Sequence, residues 1–228
     1  MDKSKIKSDL IKLGIEEGDN IFLTIDLAQV RFFYKSRLST LESWKDLFME
    51  LIGPSGSLSL ASYTSGYFRF SSTKNIIFDR STPTYAGSFP NYLIKDKSCY
   101  RSNHPTNSLI GFGSNLKSIY EKHDQNTLSY SVMGDLAKLP QSKHLMIGTI
   151  DKKNAPQSMH YVQEILGYTK SHPLKGLFQI NYIFNGKKEI YTRKDIGGCS
   201  CGGYKLYGSL MLDENVKTGY VGKAYSII

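Results

Sequence analysis

The sequence predicts an α/β fold, a mixed β-sheet flanked by helices with a C-terminal antiparallel hairpin. Three observations carry that expectation. Short apolar runs of strand length alternate with helical stripes over most of the chain. Several of those runs are nearly continuous, as in strands buried on both faces. Near the carboxyl end the pattern changes to period-two alternation around an Asn-Gly pair. With 228 residues and 40% hydrophobic content, including 16 Tyr and 11 Phe, one domain over residues 1–228 has ample material for a core.

The elements follow in order. Ile6, Leu10, Ile11 and Leu13 recur at helical spacing up to Gly14, a residue suited to stopping a helix. Residues 21–23 read as a short buried strand. Ser39 with Glu42 three positions on is a capping-box pattern, and Leu41, Trp44, Leu47, Phe48 and Leu51 form one stripe that ends at Gly53. Strands are expected at 57–61, 108–112 and 144–147, and helices at 115–122, 133–139 and 158–166. Phe178, Ile180 and Tyr182 alternate before Asn185-Gly186, and Ile190-Tyr191 resumes the pattern, which is a hairpin with a tight turn. Residues 64–90, rich in Ser, Thr, Tyr and Gly, read as long loops over a site.

A net charge of +9 favours anionic partners. The lysines are scattered (Lys3, Lys5, Lys7, Lys12, Lys143, Lys152, Lys153, Lys187, Lys188), with no arginine-rich arm and no zinc-finger or RRM signature. A small phosphorylated ligand therefore fits better than nucleic acid. No segment approaches roughly 18 consecutive apolar residues, and Met1-Asp2-Lys3-Ser4-Lys5 lacks the apolar run of a secretory signal. The expectation is a cytoplasmic protein without membrane insertion. Cys99, Cys199 and Cys201 are too few and too irregular for a disulfide framework, and Cys199-Ser200-Cys201 lacks a second zinc-ligand pair, so no metal is expected.

The run Arg101-Ser102-Asn103-His104-Pro105 places a cation, a hydroxyl and an imidazole within four positions. Proline disfavours helical geometry at the residue before it, so His104 sits on extended backbone. A turn and a site are both open on these residues alone. Upstream lie Phe78-Asp79-Arg80-Ser81-Thr82-Pro83, Gly87 and Phe89-Pro90; downstream come Ser108, Gly111-Phe112-Gly113, Met146-Ile147-Gly148, Asn154 and a helix bearing His160.

In this order the segments resemble the aminoglycoside 3-N-acetyltransferase family, from the Gly18-Asp19 turn to Gly222-Lys223-Ala224. The family carries Asp before Thr-Pro, an Arg-Ser-x-His-Pro signature, a strand ending in glycine, and an Asn-Thr-x-x-His-x-x-Glu segment. The resemblance implies an α/β fold and transfer of acetyl from acetyl-CoA to an amine. It places the general base at His160 and sets Arg101, Ser102 and His104 beside the coenzyme, with a structural hydrogen-bond role for His104 left open. Tyr63, Thr64 and Asp79 are the candidate residues for the acceptor.

Two segments depart from the family pattern. Where the family has His-Ser-Ser or His-Ser-Asp after the first strand, near the coenzyme, this chain has Thr24-Ile25-Asp26-Leu27; Thr24 and Asp26 keep polar groups there. In the catalytic segment the family Asn, Thr and Glu become Pro156, Gln157 and Gln163. A glutamine fixes a histidine tautomer but does not stabilise imidazolium as a carboxylate does. Glu164, four residues beyond His160, flanks the same helix face; either it substitutes or the enzyme is weakened. The expected function is acetyl-CoA-dependent N-acetylation of an amino sugar, nucleotide-linked and destined for surface polysaccharide, because few acids are available to hold a polycation. Aminoglycoside 3-N-acetylation and a catalytically degenerate coenzyme- or sugar-binding protein are the alternatives. The chain reaches Ile228 soon after the family-like close, which leaves a pocket wall for a neighbouring subunit, so a homo-oligomer is among the expected assemblies.

Overall fold

Buried strand runs place three parallel strands at the centre of the molecule. The computed structural model describes residues 2–31, 34–64, 66–68, 76–150, 156–167, 178–184, 186–193, 208 and 210–228. The chain begins α1 (Lys3–Leu13), β1 (Asn20–Ile25), α2 (Leu27–Val30), α3 (Arg37–Ile52), β2 (Ser57–Ala61), β3 (Tyr67–Phe68) and β4 (Ile77–Phe78). It continues α4 (Ser88–Lys95), β5 (Tyr100–Arg101), β6 (Leu109–Gly113), α5 (Leu116–Lys122), α6 (Ser131–Ala137), β7 (Ser142–Ile147) and α7 (Ser158–Ile165). Then come β8 (Phe178–Phe184), β9 (Lys187–Thr192), β10 (Thr218–Val221) and β11 (Ala224–Ile227).

The larger sheet has the order β10-β11-β7-β1-β2-β6-β5. β1 pairs in parallel with β2 and β7, while β6, β5 and β11 add antiparallel edges. Alternation along β1 sends Ile21 and Leu23 to one face and Phe22 to the other. The first face is covered by Ile6, Leu10 and Leu13 of α1 and Trp44, Leu47 and Phe48 of α3. The second is covered by Leu116 and Tyr120 of α5 and Val132, Met133 and Leu136 of α6. Each such fully buried aliphatic side chain contributes roughly 1.5–3 kcal/mol. Among the described residues no helix is long and apolar enough to cross a membrane.

Several local details differ from the sequence pattern. Ile11 is half exposed, so the α1 stripe is Ile6, Leu10 and Leu13. The capping box of α3 lies at Ser36 and Ser39, one turn before the Ser39–Glu42 pair. Ser36 Oγ accepts the Ser39 N–H at 3.1 Å and Ser39 Oγ accepts the Ser36 N–H at 2.9 Å, because a serine hydroxyl at the third position can replace a glutamate there. The β8–β9 hairpin forms, with Gly186 at φ +75°; Asn185 lies outside the described residues. It builds a second sheet, with β9 antiparallel to β8 and with β3 and β4 also paired to β8. Within residues 64–90, β3, β4 and the start of α4 are ordered elements, and residues 65 and 69–75 lie outside the description.

Candidate active site

Parallel strands β1 and β2 are adjacent and end side by side, so Asp26-Leu27 and Ser62-Tyr63-Thr64 leave the sheet together. The crevice outside the carboxyl ends of such strands is where open α/β sheets bind ligands.

The 101–105 signature lies beneath this edge as a buried joint between the two sheets. Arg101, at 3% exposure, donates from Nε to Ser108 Oγ (3.1 Å), from Nη1 to the Arg80 carbonyl (3.2 Å) and from Nη2 to the Ser62 carbonyl (2.9 Å) and Thr64 Oγ1 (3.3 Å). Its guanidinium also lies 5.0 Å from the centre of the Phe78 ring, in the core of the smaller sheet. Burial lowers its pKa to about 10, so the cation persists at neutral pH. Ser102 Oγ accepts the Leu109 N–H and meets His123 Nδ1 at 3.0 Å. Burial lowers the pKa of His123 to about 4.

His104 is fully buried and stacks on His123 with ring centres 4.8 Å apart. Its Nδ1 accepts the Asn107 N–H at 3.0 Å, so Nε2 carries the proton and donates to Tyr191 Oη at 3.3 Å. Tyr191 belongs to β9. Arg101, Ser102 and His104 are thus committed to protein groups. The physical cause is depth: each lies where an unpaired polar group would be costly, and each has found partners.

The second cluster is different. His160, on α7, is half-buried, and its Nδ1 lies 3.1 Å from Gln163 Oε1. An amide oxygen only accepts, so Nδ1 is the protonated nitrogen and Nε2 keeps its lone pair. Burial lowers the His160 pKa, Gln163 opposes that shift, and the nearby Arg193 cation lowers the pKa further. The imidazole is therefore neutral at pH 7. Its ring lies 5.0 Å from that of Tyr130, which in turn meets Tyr63 edge-on at 6.2 Å; Tyr63 lies 6.3 Å from Tyr85. The Tyr130 hydroxyl is within hydrogen-bond reach of Arg193 and Asn107, and burial raises its pKa to about 12. Tyr63 is 8% exposed, and its buried hydroxyl has no hydrogen-bond partner among the described residues.

Gln163, not Glu164, meets His160. The Glu164 carboxylate is buried and accepts the Tyr130 N–H at 3.1 Å, which satisfies a backbone donor at the start of α6. The spacing of α6 and α7 is set by Gly134, where an added Cβ would collide with the Tyr161 ring. That close approach seats the turn of α7 bearing His160.

The remaining expected residues are spread around the site. Thr24 Oγ1 faces His144 Nε2 at 3.2 Å, and Asp26 caps α2 by accepting the Ala28 N–H at 2.9 Å. Leu27 packs against the core. Thr64 is engaged by Arg101. Asp79 accepts from Ser81 N–H and Ser81 Oγ, both at 2.7 Å; burial acts to raise its pKa, but these hydrogen bonds and those of Thr82 outweigh it and hold it low. Of Tyr63, Thr64 and Asp79, Tyr63 shares the His160 cluster. Asn154, Cys199 and Cys201 lie outside the described residues. Cys99 is a buried free thiol, raised to about 11 by burial. Among the described residues no group of three or more His, Cys, Asp or Glu is placed to hold a metal. Tyr85, Asn107, Tyr130 and Arg193 were not singled out in the sequence, for none belongs to a motif; the hairpin pattern ending at Tyr191 was the one signal pointing toward Arg193.

The profile of a family described as aminoglycoside 3-N-acetyltransferase matches residues 41–228. No curated protein sequence matches the chain. Among solved structures, sisomicin-bound AAC-VIa is similar with a TM-score of 0.78 at 17% identity, over 100% of this chain and 92% of that one. YokD from Bacillus subtilis gives 0.80 at 17% identity, over 99% and 87%. AAC-IIIb in its binary complex with CoASH gives 0.74 at 17% identity, over 100% and 90%. At such low identity these likenesses show the shared fold. The chain belongs to the aminoglycoside 3-N-acetyltransferase family, and by that membership it is an N-acetyltransferase with acetyl-CoA as its co-substrate.

Proposed function

We propose that the chain, as one domain over residues 1–228, acetylates the amine of an amino sugar, with His160 as general base. The observation that carries this reading is the His160 Nδ1–Gln163 Oε1 contact, which leaves the Nε2 lone pair of a neutral imidazole beside Tyr130. Acetyl-CoA supplies the thioester. As the amine nitrogen bonds to the acetyl carbon, His160 Nε2 takes the proton that nitrogen loses and delivers it to the coenzyme sulfur as the C–S bond breaks. Gln163 holds the tautomer but offers the imidazolium no countercharge, so the base is weaker than a carboxylate-paired one. The buried Tyr63 hydroxyl is a donor available to the oxyanion or the acceptor. Asp26 and Leu27, at the end of β1, mark the coenzyme side.

Family membership and the sisomicin complex of AAC-VIa support aminoglycosides as the first acceptors to test, ahead of surface-polysaccharide precursors. The +9 charge favours a nucleotide-linked amino sugar as the second. The test is release of free thiol from acetyl-CoA across both panels, together with coenzyme binding by calorimetry. Turnover that His160→Ala abolishes while coenzyme affinity persists supports the base. Coenzyme binding with no turnover on any acceptor points to the degenerate binding protein instead.

A further inference from the structure

We propose that Tyr85 is the stacking platform for the acceptor: the C–H face of one sugar ring lies on its exposed phenol ring, so that ring-closed amino sugars are preferred to open-chain amines. The inference rests on the His160 reading above and adds a specificity-determining residue to it.

Tyr85 is 66% exposed, and an exposed aromatic on a loose loop would be ordinary surface. This one stands on a backbone that is held on both sides. The Tyr85 N–H donates to the Tyr63 carbonyl at 3.3 Å, and Thr84 Oγ1 donates to the same carbonyl at 2.7 Å while accepting the Ala86 N–H at 3.0 Å. From α4, Asn91 Oδ1 accepts the Thr84 N–H at 3.0 Å, and Asn91 Nδ2 donates to the Thr84 and Gly87 carbonyls, both at 2.7 Å. Residues 84–87 are thereby fastened both to the chain leaving β2 and to α4.

The ring continues the aromatic line of the site to its outer end. Tyr130 lies 5.0 Å from His160, Tyr63 meets Tyr130 edge-on, and Tyr85 lies 6.3 Å from Tyr63 at an interplanar angle of 58°. Tyr63 and Tyr130 are buried, whereas Tyr85 is not, and the tilt leaves a face of Tyr85 that Tyr63 does not cover. A pyranose ring gathers C–H bonds on one face, and that apolar face matches an aromatic plane; an open chain presents no such face. A tyrosine has only two side-chain torsions, and here its backbone is already fixed, so ordering it on binding costs little. Stacking reads shape rather than charge, so aminoglycosides and nucleotide-linked amino sugars both satisfy it.

The test compares glucosamine with glucosaminitol, the ring-opened alditol that keeps the amine, and adds sisomicin, by calorimetric binding to the coenzyme-bound protein and by thiol release. Wild type should bind glucosamine more tightly than glucosaminitol. Tyr85→Ala should weaken glucosamine and sisomicin binding roughly five- to thirtyfold and remove most of the ring preference, with KM raised more than kcat is lowered. Tyr85→Trp should keep the preference, and Tyr85→Leu, apolar but without an aromatic plane, should lose it. Tyr220→Ala, which removes a tyrosine of β10 that is 64% exposed, should leave the ratio unchanged, with circular dichroism confirming that all four variants fold. A wild-type ratio at or below one, no binding of glucosamine or sisomicin, a ratio retained in Tyr85→Ala or Tyr85→Leu, or an equal loss in Tyr220→Ala overturns the platform. Because the ratio is read from binding, it stands apart from turnover: ring-selective binding without thiol release contradicts the His160 reading, and thiol release without dependence on Tyr85 contradicts the platform alone.

Discussion

Two regions of this molecule contain arginine, histidine and hydroxyl side chains, and they differ in what those groups touch. Around residues 101–109, Arg101 donates to carbonyls and hydroxyls of two loops, His104 is held at both ring nitrogens, and Ser102 bridges Leu109 and His123. Around α7 and the end of β9, His160 keeps a lone pair, the Tyr63 hydroxyl has no partner among the described residues, and the charge of Arg193 acts on His160. The first region is where the motif is, and it positions. The second carries the chemistry in the proposed function, and its residues come from four separate stretches of sequence. A signature of polar residues therefore marks the support of a site as readily as the site itself.

That contrast is open to direct perturbation. His160→Ala should lower kcat/KM by roughly 10²–10⁴ with little change in melting temperature, measured by steady-state thiol release and calorimetry. Arg101→Met should do the reverse. It leaves the Arg80 carbonyl without its buried donor and the Ser62 carbonyl with Ser108 Oγ in place of two donors, and the expected loss is about 3 kcal/mol, or on the order of 10 °C in a thermal melt, with activity per folded molecule reduced less than by His160→Ala. Equal effects of both substitutions on rate and stability would erase the distinction.

Gly134→Ala probes the link between the regions. A methyl group there drives Tyr161 away and moves α7, so kcat/KM should fall roughly tenfold or more, at a stability cost smaller than that of Arg101→Met. Acid titration probes the support through His123. Burial depresses His123 to about 4, below its unfolded value near 6.5, so between those limits the unfolded chain binds more protons than the folded one. The stability from this group is complete above pH 6.5 and is lost as pH falls toward 4, on the order of 3 kcal/mol. His144, also lowered to about 4 by burial, acts in the same direction. Chemical denaturation at stepped pH would show the decline, and His123→Gln should flatten it.

Much of the fold was legible in the sequence because buried parallel strands and amphipathic helices write their periods directly. Ile21, Phe22 and Leu23 needed no partner information to be recognised as a strand, and the Trp44–Phe48 stripe fixed the core face of α3. The site was less legible. Gln163 and Glu164 are three and four residues beyond His160, and helical spacing admits either. The choice was made by packing, since the start of α6 presents the Tyr130 N–H to Glu164. Arg193 reaches the site through the register of the β8–β9 hairpin and its pairing to a distant segment, which no local pattern encodes. The capping box of α3 was displaced by one turn for a simpler reason: Ser36, Ser39 and Glu42 offer two overlapping boxes, and the upstream one formed.

The central claim is that His160 is the base and that Gln163, rather than a carboxylate, holds it. The pH dependence of kcat/KM for wild type and Gln163→Glu, measured with one acceptor so that the amine's own ionisation is common to both, tests it most directly. Wild type should lose activity on an acid limb below the ordinary histidine value of 6.5, because burial and Arg193 keep the imidazole neutral. In Gln163→Glu the new carboxylate stabilises imidazolium, so the limb should move to higher pH and the plateau rate should rise. Superimposable profiles, or an acid limb that survives His160→Ala, would contradict the assignment.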